Sequence, residues 1–124
     1  HAPIHSRDDL RQHSFVSYID DLLMSQNLNY LNEVCQPARV AFRSTSLFGQ
    51  LQAAQAGAGI AILPAFMAQQ QAGLVPVLAE SVQIVRTFWM LMPIEFKDLA
   101  RMRTTWDYLK EMAQQNQGRL LGQA

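Results

Sequence analysis

The sequence has little cysteine, no long apolar run and no excess of charge of either sign. Its single cysteine, Cys35, cannot form an internal disulfide and fits a reducing compartment. No apolar stretch approaches the roughly 20 residues that cross a membrane as a helix. Ten basic and ten acidic residues cancel, so the chain has no electrostatic footprint for nucleic acid or an anionic membrane. We therefore expect no membrane span and no DNA binding by these residues themselves.

The N-terminus also lacks an initiating Met and the basic, then apolar, layout of a signal peptide. These absences predict a cytoplasmic protein and a chain that is an excised part of a longer one. Apolar residues, in contrast, are plentiful. They make up 49% of the 124 residues, which is enough for the core of one domain or of a piece of one.

The clearest pattern is a strand, helix, strand unit in the middle of the chain. Arg39–Arg43 is short and β-prone, and Ser44-Thr45-Ser46 can turn the chain and cap a helix. Apolar and small residues then recur three or four apart from Leu47, until Gly57-Ala58-Gly59 ends the helix and Ile60–Leu63 forms a second strand. Such a unit requires parallel strands joined by a right-handed crossover. The predicted fold class is therefore α/β.

The turn after the first of these strands is the leading candidate for a functional site. Ligands of open parallel sheets bind outside the carboxyl ends of the strands. At that end Ser44, Thr45 and Ser46 bring three hydroxyls to the free amides of a helix N-terminus, directly after Arg43. Two interpretations stay open, since capping alone needs only one hydroxyl, whereas the surplus favours a site for an anion or a carboxylate.

Other possible sites have less support in the sequence than this turn. The segment 57–60 follows a helix and precedes a strand, the reverse of the order in a dinucleotide fingerprint. His1, His5 and His13 have no cysteine or acidic partner at a metal-ligand spacing, and Cys35 has no neighbouring base. We find no set of nucleophile, base and orienting residue. The sequence thus predicts no metal, no cofactor and no enzyme activity.

The flanking segments extend the α/β pattern. A short helix to about His13 should precede a strand at Ser14–Ile19, and Leu28, Leu31 and Val34 lie three apart on a second short helix. Downstream, the pattern predicts a helix at 65–72, a strand or extended edge at 74–78 and the longest strand of the chain at 82–92. From Lys97 an amphipathic helix of about five turns follows. Its apolar face carries Leu99, Met102, Trp106, Leu109 and Ala113.

In their order and spacing these segments resemble a known family. The diagnostic run is a strand ending in Arg43-Ser44-Thr45-Ser46, then LFGQLQAAQAGAGIAILP, then Gly73–Leu78, then Arg86–Trp89, then an amphipathic terminal helix. It is similar to the C-terminal part of the effector-binding domain of LysR-type transcriptional regulators. The likeness covers roughly Asp9 to Leu120.

This resemblance implies a periplasmic-binding-protein-like fold of two α/β subdomains, with a small-molecule effector in the cleft between them. Residues 1–95 would form the second subdomain, and residues 96–124 a terminal helix and tail that normally pack on a first subdomain absent here. By position, Ser17, Tyr18 and Ile19 would face the cleft, and Ser44, Thr45 and Ser46 would line it. DNA would be bound only through an N-terminal domain outside this chain.

The resemblance also implies a homo-oligomer, a dimer for this chain and a tetramer for a full-length regulator. The face around Trp106 would then fold back on its own sheet or pair with a second copy. The other hypothesis is a fragment of a periplasmic-type solute-binding protein or another metabolite-binding module. An enzyme of a related fold has the least support, because no catalytic set is found.

Overall fold

The structure is a computed structural model that describes residues 2–22 and 29–123. The chain divides into two compact units, His1–Ile84 and Val85–Ala124. The division predicted from the resemblance, a subdomain at 1–95 and a terminal helix at 96–124, stays a prediction.

The first unit is built on a parallel sheet of three strands. These are β1 (Ser14–Ser17), β2 (Arg39–Arg43) and β3 (Ile60–Ala61), and β1 lies in the centre with β2 and β3 on either side. Both pairings are parallel, as a strand, helix, strand unit requires. The α/β class is thus confirmed. Both β1 and β3 are shorter than their predicted ranges, which continued to Ile19 and Leu63 respectively.

Short helices connect and follow these strands. A 3₁₀-helix (Asp9–Gln12) precedes β1, and another (Asp20–Leu22) follows it. Helix α1 (Tyr30–Val34) precedes β2, whereas α2 (Leu47–Gln55) joins β2 to β3. Leu28, predicted to begin the α1 pattern, lies outside the described residues. Helix α2 begins and ends close to the positions that the hydroxyl-rich turn and the glycines predict.

The sheet carries buried side chains on both faces. Leu10, Phe15, Leu31 and Cys35 form one buried cluster, which includes the apolar side of α1. Val16 and Leu51 are also buried but do not belong to that cluster, and α2 contacts all three strands. Since successive strand residues point to opposite faces, α1 and α2 cover the two sides of β1. In the order β2-β1-β3 the topological switch point, where ligands of open parallel sheets bind, lies at the carboxyl ends of β1 and β3.

The rest of the first unit corrects the length of one predicted helix and excludes a strand at 74–78, where a strand or an extended edge was predicted. Helix α3 (Ala65–Ala68) ends four residues before the predicted Ala72. Residues 74–78 form no strand, because Pro76 has no N–H for a ladder and Leu78 adopts a left-handed φ of 52°. Leu78 instead packs against the Phe15 cluster.

The prediction of a long strand at 82–92, a segment that runs from the end of the first unit into the second, is wrong. None of these residues is assigned to a strand, although the segment is rich in β-branched and aromatic residues. A strand exists only when a neighbour completes its ladder of hydrogen bonds. The described residues of the second unit, 85–123, contain no strand that could be that neighbour.

The predicted terminal helix is confirmed. After a 3₁₀-helix (Ile94–Phe96), α4 covers Ala100–Gln115 and α5 covers Gln117–Leu120. The start of α4 lies three residues after the predicted Lys97, and α5 occupies part of the predicted polar tail. No residue of α4 is fully buried, although Met102 and Trp106 are half-buried on its apolar face. In the described part of the chain, no helix is long and apolar enough to cross a membrane.

Candidate functional site

The two predicted site segments meet at the carboxyl edge of the sheet. Ser17 ends β1 and is paired in register with Arg43, the last residue of β2. One residue further on, the Ser44 amide donates a hydrogen bond to the Ser17 carbonyl oxygen at 3.0 Å. Residues 17–19 and 44–46 therefore leave the carboxyl edge of the sheet side by side.

Two of the three hydroxyls in the turn organise the start of α2. The Ser44 Oγ accepts from the Ser46 amide at 3.1 Å, and the Ser46 Oγ accepts from the Gly49 amide at 3.3 Å. Ser46 is therefore the N-cap, as the capping interpretation predicts. Gly49 permits this close packing, since a Cβ there would lie 2.9 Å from the Ser44 Oγ.

The third hydroxyl, that of Thr45, and three backbone amides have no hydrogen-bond partner among the described residues. Thr45 is exposed, and its hydroxyl makes no hydrogen bond with residues 2–22 or 29–123. The amides of Thr45, Leu47 and Phe48 likewise have no acceptor in those ranges. Unpaired amides at a helix N-terminus carry the positive end of the helix dipole. The turn thus combines a capping role with unused donors that suit an anion.

Arg43, the cation expected beside the turn, already has partners in the protein. Its Nη1 donates to the Asp20 carboxylate at 2.8 Å and to the Tyr18 carbonyl oxygen at 3.1 Å. The two charged side chains are 43% and 60% exposed. Arg43 therefore ties the segment after β1 to the end of β2 through its Nη1.

Tyr18 and Ile19, the two residues after β1, are both half-buried but make different contacts. The Tyr18 ring is half-buried beside that of Tyr30, with 6.5 Å between centroids and 57° between planes. Burial raises the pKa of the Tyr18 hydroxyl, and the nearby Tyr30 raises it further. Tyr18 is therefore a neutral phenol at neutral pH. Ile19 is half-buried, and its carbonyl oxygen accepts from the Leu22 amide at 3.0 Å.

A small notch beside these residues contains a side chain that the sequence did not single out. Gln50 is only 1% exposed, and its Nε2 donates to the Ser44 carbonyl oxygen at 2.9 Å. The notch has a volume of about 10 Å³. Its lining comprises Val16, Ser17, Tyr18, Tyr30, Leu31, Gln50 and Ile62. Ser17 and Tyr18 thus contribute both to the predicted site and to this notch.

Sequence reasoning missed Gln50 because a helical glutamine is ordinarily a solvated residue. The one available signal is its position directly before Leu51, on the side of α2 that packs on the sheet. For metal chemistry, the described residues contain no cluster of three or more His, Cys, Asp or Glu side chains. Cys35 is buried, with its thiol 3.7 Å from the Pro37 carbonyl oxygen.

The parallel sheet and its connecting helices define an α/β domain with unpaired hydrogen-bond donors at the carboxyl edge of the sheet. A family model described as LysR substrate binding domain matches residues 1–114. The chain therefore belongs to the LysR substrate-binding domain family, as the resemblance predicted. No curated protein and no solved structure matches the chain.

Membership of this family establishes the general role of the domain. LysR substrate-binding domains bind the effectors of transcription regulators, and such regulators are not enzymes. The fold class, the family and the link to transcription regulation are thus confirmed. The six site residues stay a prediction. The structure brings the backbones of Ser17 and Ser44 together and leaves the Thr45 hydroxyl open to solvent.

Proposed function

We propose that this chain is the effector-sensing and oligomerisation part of a LysR-type regulator, and that it binds a small organic anion without chemical change. The site comprises Ser17, Tyr18, Ile19, Ser44, Thr45 and Ser46. The observation that carries the proposal is the hydrogen bond from the Ser44 amide to the Ser17 carbonyl, because it brings both predicted segments together at the carboxyl edge of the sheet. The regulator acts in the cytoplasm and contacts DNA through an N-terminal domain outside this chain.

The preference for an anion follows from the N-terminus of α2. This helix has nine residues, so its dipole is fully developed over more than two turns. The amides of Leu47 and Phe48 in its first turn, and that of Thr45 just before the N-cap, have no acceptor in the described residues, and the Thr45 hydroxyl adds a fourth donor. A carboxylate accepts several such hydrogen bonds at once, and bonds to a charged acceptor are stronger than neutral ones.

Each remaining site residue has a separate role. Ser17 and the phenol of Tyr18 present polar groups at the end of β1, while Ile19 supplies apolar surface. Ser44 and Ser46 hold the turn in the conformation that leaves the amides open. Arg43 holds the two walls together through Asp20 and the Tyr18 carbonyl. The opposite side of the cleft belongs to a first subdomain, on which the helix at 96–124 packs in a full-length regulator.

The second unit is the surface for self-association. Its exposed apolar side chains include Phe88, Trp89, Leu91 and Ile94, each more than 70% accessible to water. Covering large apolar side chains of this kind stabilises an assembly by about 1.5 to 3 kcal/mol each before the opposing entropy of association. The other hypothesis from the sequence, a fragment of a solute-binding protein, is disfavoured by the match to the LysR family.

Titration of the labelled chain with pentanoate, followed by amide chemical shifts in NMR, tests the anion site. We expect the amides of residues 44–48 to shift, and we expect pentanamide, which lacks the charge, to leave them unchanged. Thr45→Ala should weaken pentanoate binding about tenfold, the equivalent of about 1.4 kcal/mol.

Thr105→Ala is the matched control, because Thr105 lies in the second unit and its hydroxyl donates to the Arg101 carbonyl oxygen. This variant should bind pentanoate as the wild type does. Equal affinity for pentanoate and pentanamide, or shifts confined to residues away from the turn, would remove the α2 N-terminus from the site.

A further inference from the structure

One stretch of the second unit is extended but has no strand beside it. From Val85 to Pro93 the backbone contains no helix, turn or bend. Apart from Arg86 and Thr87, the residues before the proline are all apolar, and they include two aromatic side chains. The described residues of this unit, 85–123, form no strand with which the stretch could pair. We call residues 85–92 the unpaired strand segment.

The backbone amides along one edge of the unpaired strand segment are unused. In an extended chain, alternate residues direct their N–H groups to the same edge. The amides of the odd-numbered residues donate no hydrogen bond within residues 2–22 and 29–123, and these residues are Val85, Thr87, Trp89 and Leu91. The Val85 carbonyl oxygen accepts from the Arg86 Nη1 at 3.0 Å, and a carbonyl has a second lone pair for another donor. Such an edge is a template for pairing with another strand.

The side chains of the unpaired strand segment are exposed as well. Val85, Phe88, Trp89 and Leu91 are each more than 70% accessible to water. Large side chains of this kind offer on the order of 500 Å² of apolar surface in one copy and about 1,000 Å² in two. The larger area is near the lower limit for a specific interface. The segment therefore suits a weak, reversible contact with a second extended chain.

A second copy of the same segment is the partner that closes this contact. Two identical strands that pair antiparallel are related by a two-fold axis, so the assembly ends at two chains. A contact between the segment and a different edge is head-to-tail and generates rings or filaments. Arg86 is the only charged residue of the segment. Two copies therefore meet without like charges directly opposite each other when the axis lies at another residue.

We propose that residues 85–92 of two copies pair as antiparallel strands about a two-fold axis at Phe88. With Phe88 opposite its own copy, Val85 lies opposite Leu91 of the second copy, and Thr87 lies opposite its Trp89. These are the hydrogen-bonded pairs of the ladder, so the four free amides of each chain receive a carbonyl partner. This inference rests on the proposed self-association of the second unit, and it names the contact that holds the two copies.

The neighbouring registers satisfy fewer of these amides. An axis at Trp89 places Val85 opposite Pro93, which has no N–H to donate. An axis at Thr87 leaves the Leu91 amide without a partner inside the segment. The proposed axis satisfies all four amides and also brings two phenylalanine rings together, a cross-strand pair that stabilises antiparallel strands.

Cysteine cross-linking tests the position of the axis. Phe88→Cys places two thiols on a directly opposite pair without hydrogen bonds between its residues, the closest spacing in an antiparallel ladder. Leu91→Cys is the matched control, because Leu91 is similarly exposed but lies opposite Val85. With oxidised glutathione, non-reducing electrophoresis should show most of the Phe88→Cys chain as a disulfide-linked dimer and the Leu91→Cys chain as a monomer. The native Cys35 is buried and does not compete.

Two proline variants test whether the backbone makes the contact. Thr87→Pro removes an N–H from the paired edge and should weaken the dimer about tenfold or more in light scattering across a range of concentrations. Met90→Pro removes an N–H that points to the opposite edge, so it should change the affinity by less than about threefold. In the wild type, amide hydrogen exchange should slow for Thr87 and Trp89 as the concentration rises, whereas that of Met90 should stay the same. This wild-type measurement decides alone if a variant does not fold.

The outcomes separate this pairing from self-association itself. A wild-type dimer in which the Thr87 and Trp89 amides exchange as fast as in the monomer would overturn the pairing and leave the apolar side chains as the interface. Equal cross-linking of the two cysteine variants would do the same. Slow exchange of these amides in a monomeric chain would assign the edge to a partner within the chain and overturn the pairing. A monomer at every concentration would overturn the proposed self-association and the inference with it.

Discussion

The two units of this chain use similar residues to opposite effect. In the first, Phe15 on the central strand is 1% exposed, whereas Trp89 in the β-prone segment of the second is 80% exposed. Both lie in short runs rich in β-branched and aromatic residues. The difference lies in the neighbours, since β1 has a parallel partner on each side and the described residues of the second unit contain no strand. A β-prone sequence thus does not suffice to form a strand.

The aromatic residues allow the two units to be observed separately. Trp89 and Trp106, the two tryptophans of the chain, both lie in the second unit. Tryptophan fluorescence therefore reports on that unit, whereas far-ultraviolet circular dichroism reports on the helices of both. The two signals should follow different unfolding transitions if the units are independent.

The largest effect is expected where the first unit has its core. Phe15→Ala should lower the free energy of unfolding by about 3 to 5 kcal/mol, because it removes a fully buried aromatic side chain and leaves a cavity. Urea denaturation followed by circular dichroism measures the change. Trp89→Ala is the control, and below the concentration of association it should alter stability by less than about 0.5 kcal/mol. Comparable losses in the two variants would contradict the difference in burial.

Two glycines at the end of α2 provide the next largest effect. A Cβ at Gly59 would lie 2.5 Å from the Ser14 carbonyl oxygen, so β1 and the start of β3 would have to separate. Gly59→Ala should destabilise the first unit by about 1 to 3 kcal/mol.

Gly57 has a φ of 81° but open space around it, so Gly57→Ala should destabilise by only about 1 kcal/mol. Thermal unfolding of both variants measures which of the two substitutions destabilises the first unit more. A larger loss for Gly57→Ala would show that backbone strain outweighs the contact with β1.

Local chemistry explains which parts of the fold were predictable. Ser46 and Gly57 set the ends of α2 through a side-chain cap and a left-handed residue, and both are visible in the sequence. The strand at 82–92 was not predictable, because its formation depends on a neighbour that no local pattern encodes. Similarly, Leu78 leaves the strand pattern because it packs on a cluster assembled from distant parts of the chain.

The candidate site, like the fold, could be predicted only in part from the sequence. Sheet geometry placed the segments 17–19 and 44–46 at one edge, since the carboxyl ends of parallel strands meet there. Two features arise from tertiary packing: the ion pair between Arg43 and Asp20, and the burial of Gln50 against the end of β1. Neither follows from spacing along the sequence.

Self-association provides the third test of the contrast between the units. Leu91→Asp places a charge in the exposed apolar surface of the second unit, where Leu91 is 84% exposed. It should weaken a dimer about tenfold or more, because burying an unpaired charge is unfavourable. Light scattering after size-exclusion chromatography measures the mass. Val75→Asp, at a residue 81% exposed in the first unit, should leave the mass unchanged. A wild-type chain that stays monomeric at every concentration would rule out this surface as an interface.

The smallest effect concerns a carboxylate at the start of the first unit. Asp9 Oδ2 accepts from the His5 amide at 3.0 Å, the Ser6 amide at 2.9 Å and the Ser6 hydroxyl at 3.0 Å. The backbone bond from His5, followed by the bonds from Ser6, holds the pKa of Asp9 below its ordinary value. The ionised group therefore stabilises the folded chain above about pH 4, the usual carboxyl pKa in an unfolded chain.

This contribution is lost as the pH falls through the lowered pKa of the folded state, since both states are then protonated. Asp9→Asn should accordingly be slightly less stable than the wild type at pH 7, and the deficit should be smaller at pH 2. Urea denaturation at the two pH values measures it. Asp8→Asn is the matched control, because the Asp8 carboxylate accepts no hydrogen bond from the described residues. A deficit for Asp9→Asn that is equally large at both pH values would assign the effect to the shape of the side chain instead of its charge.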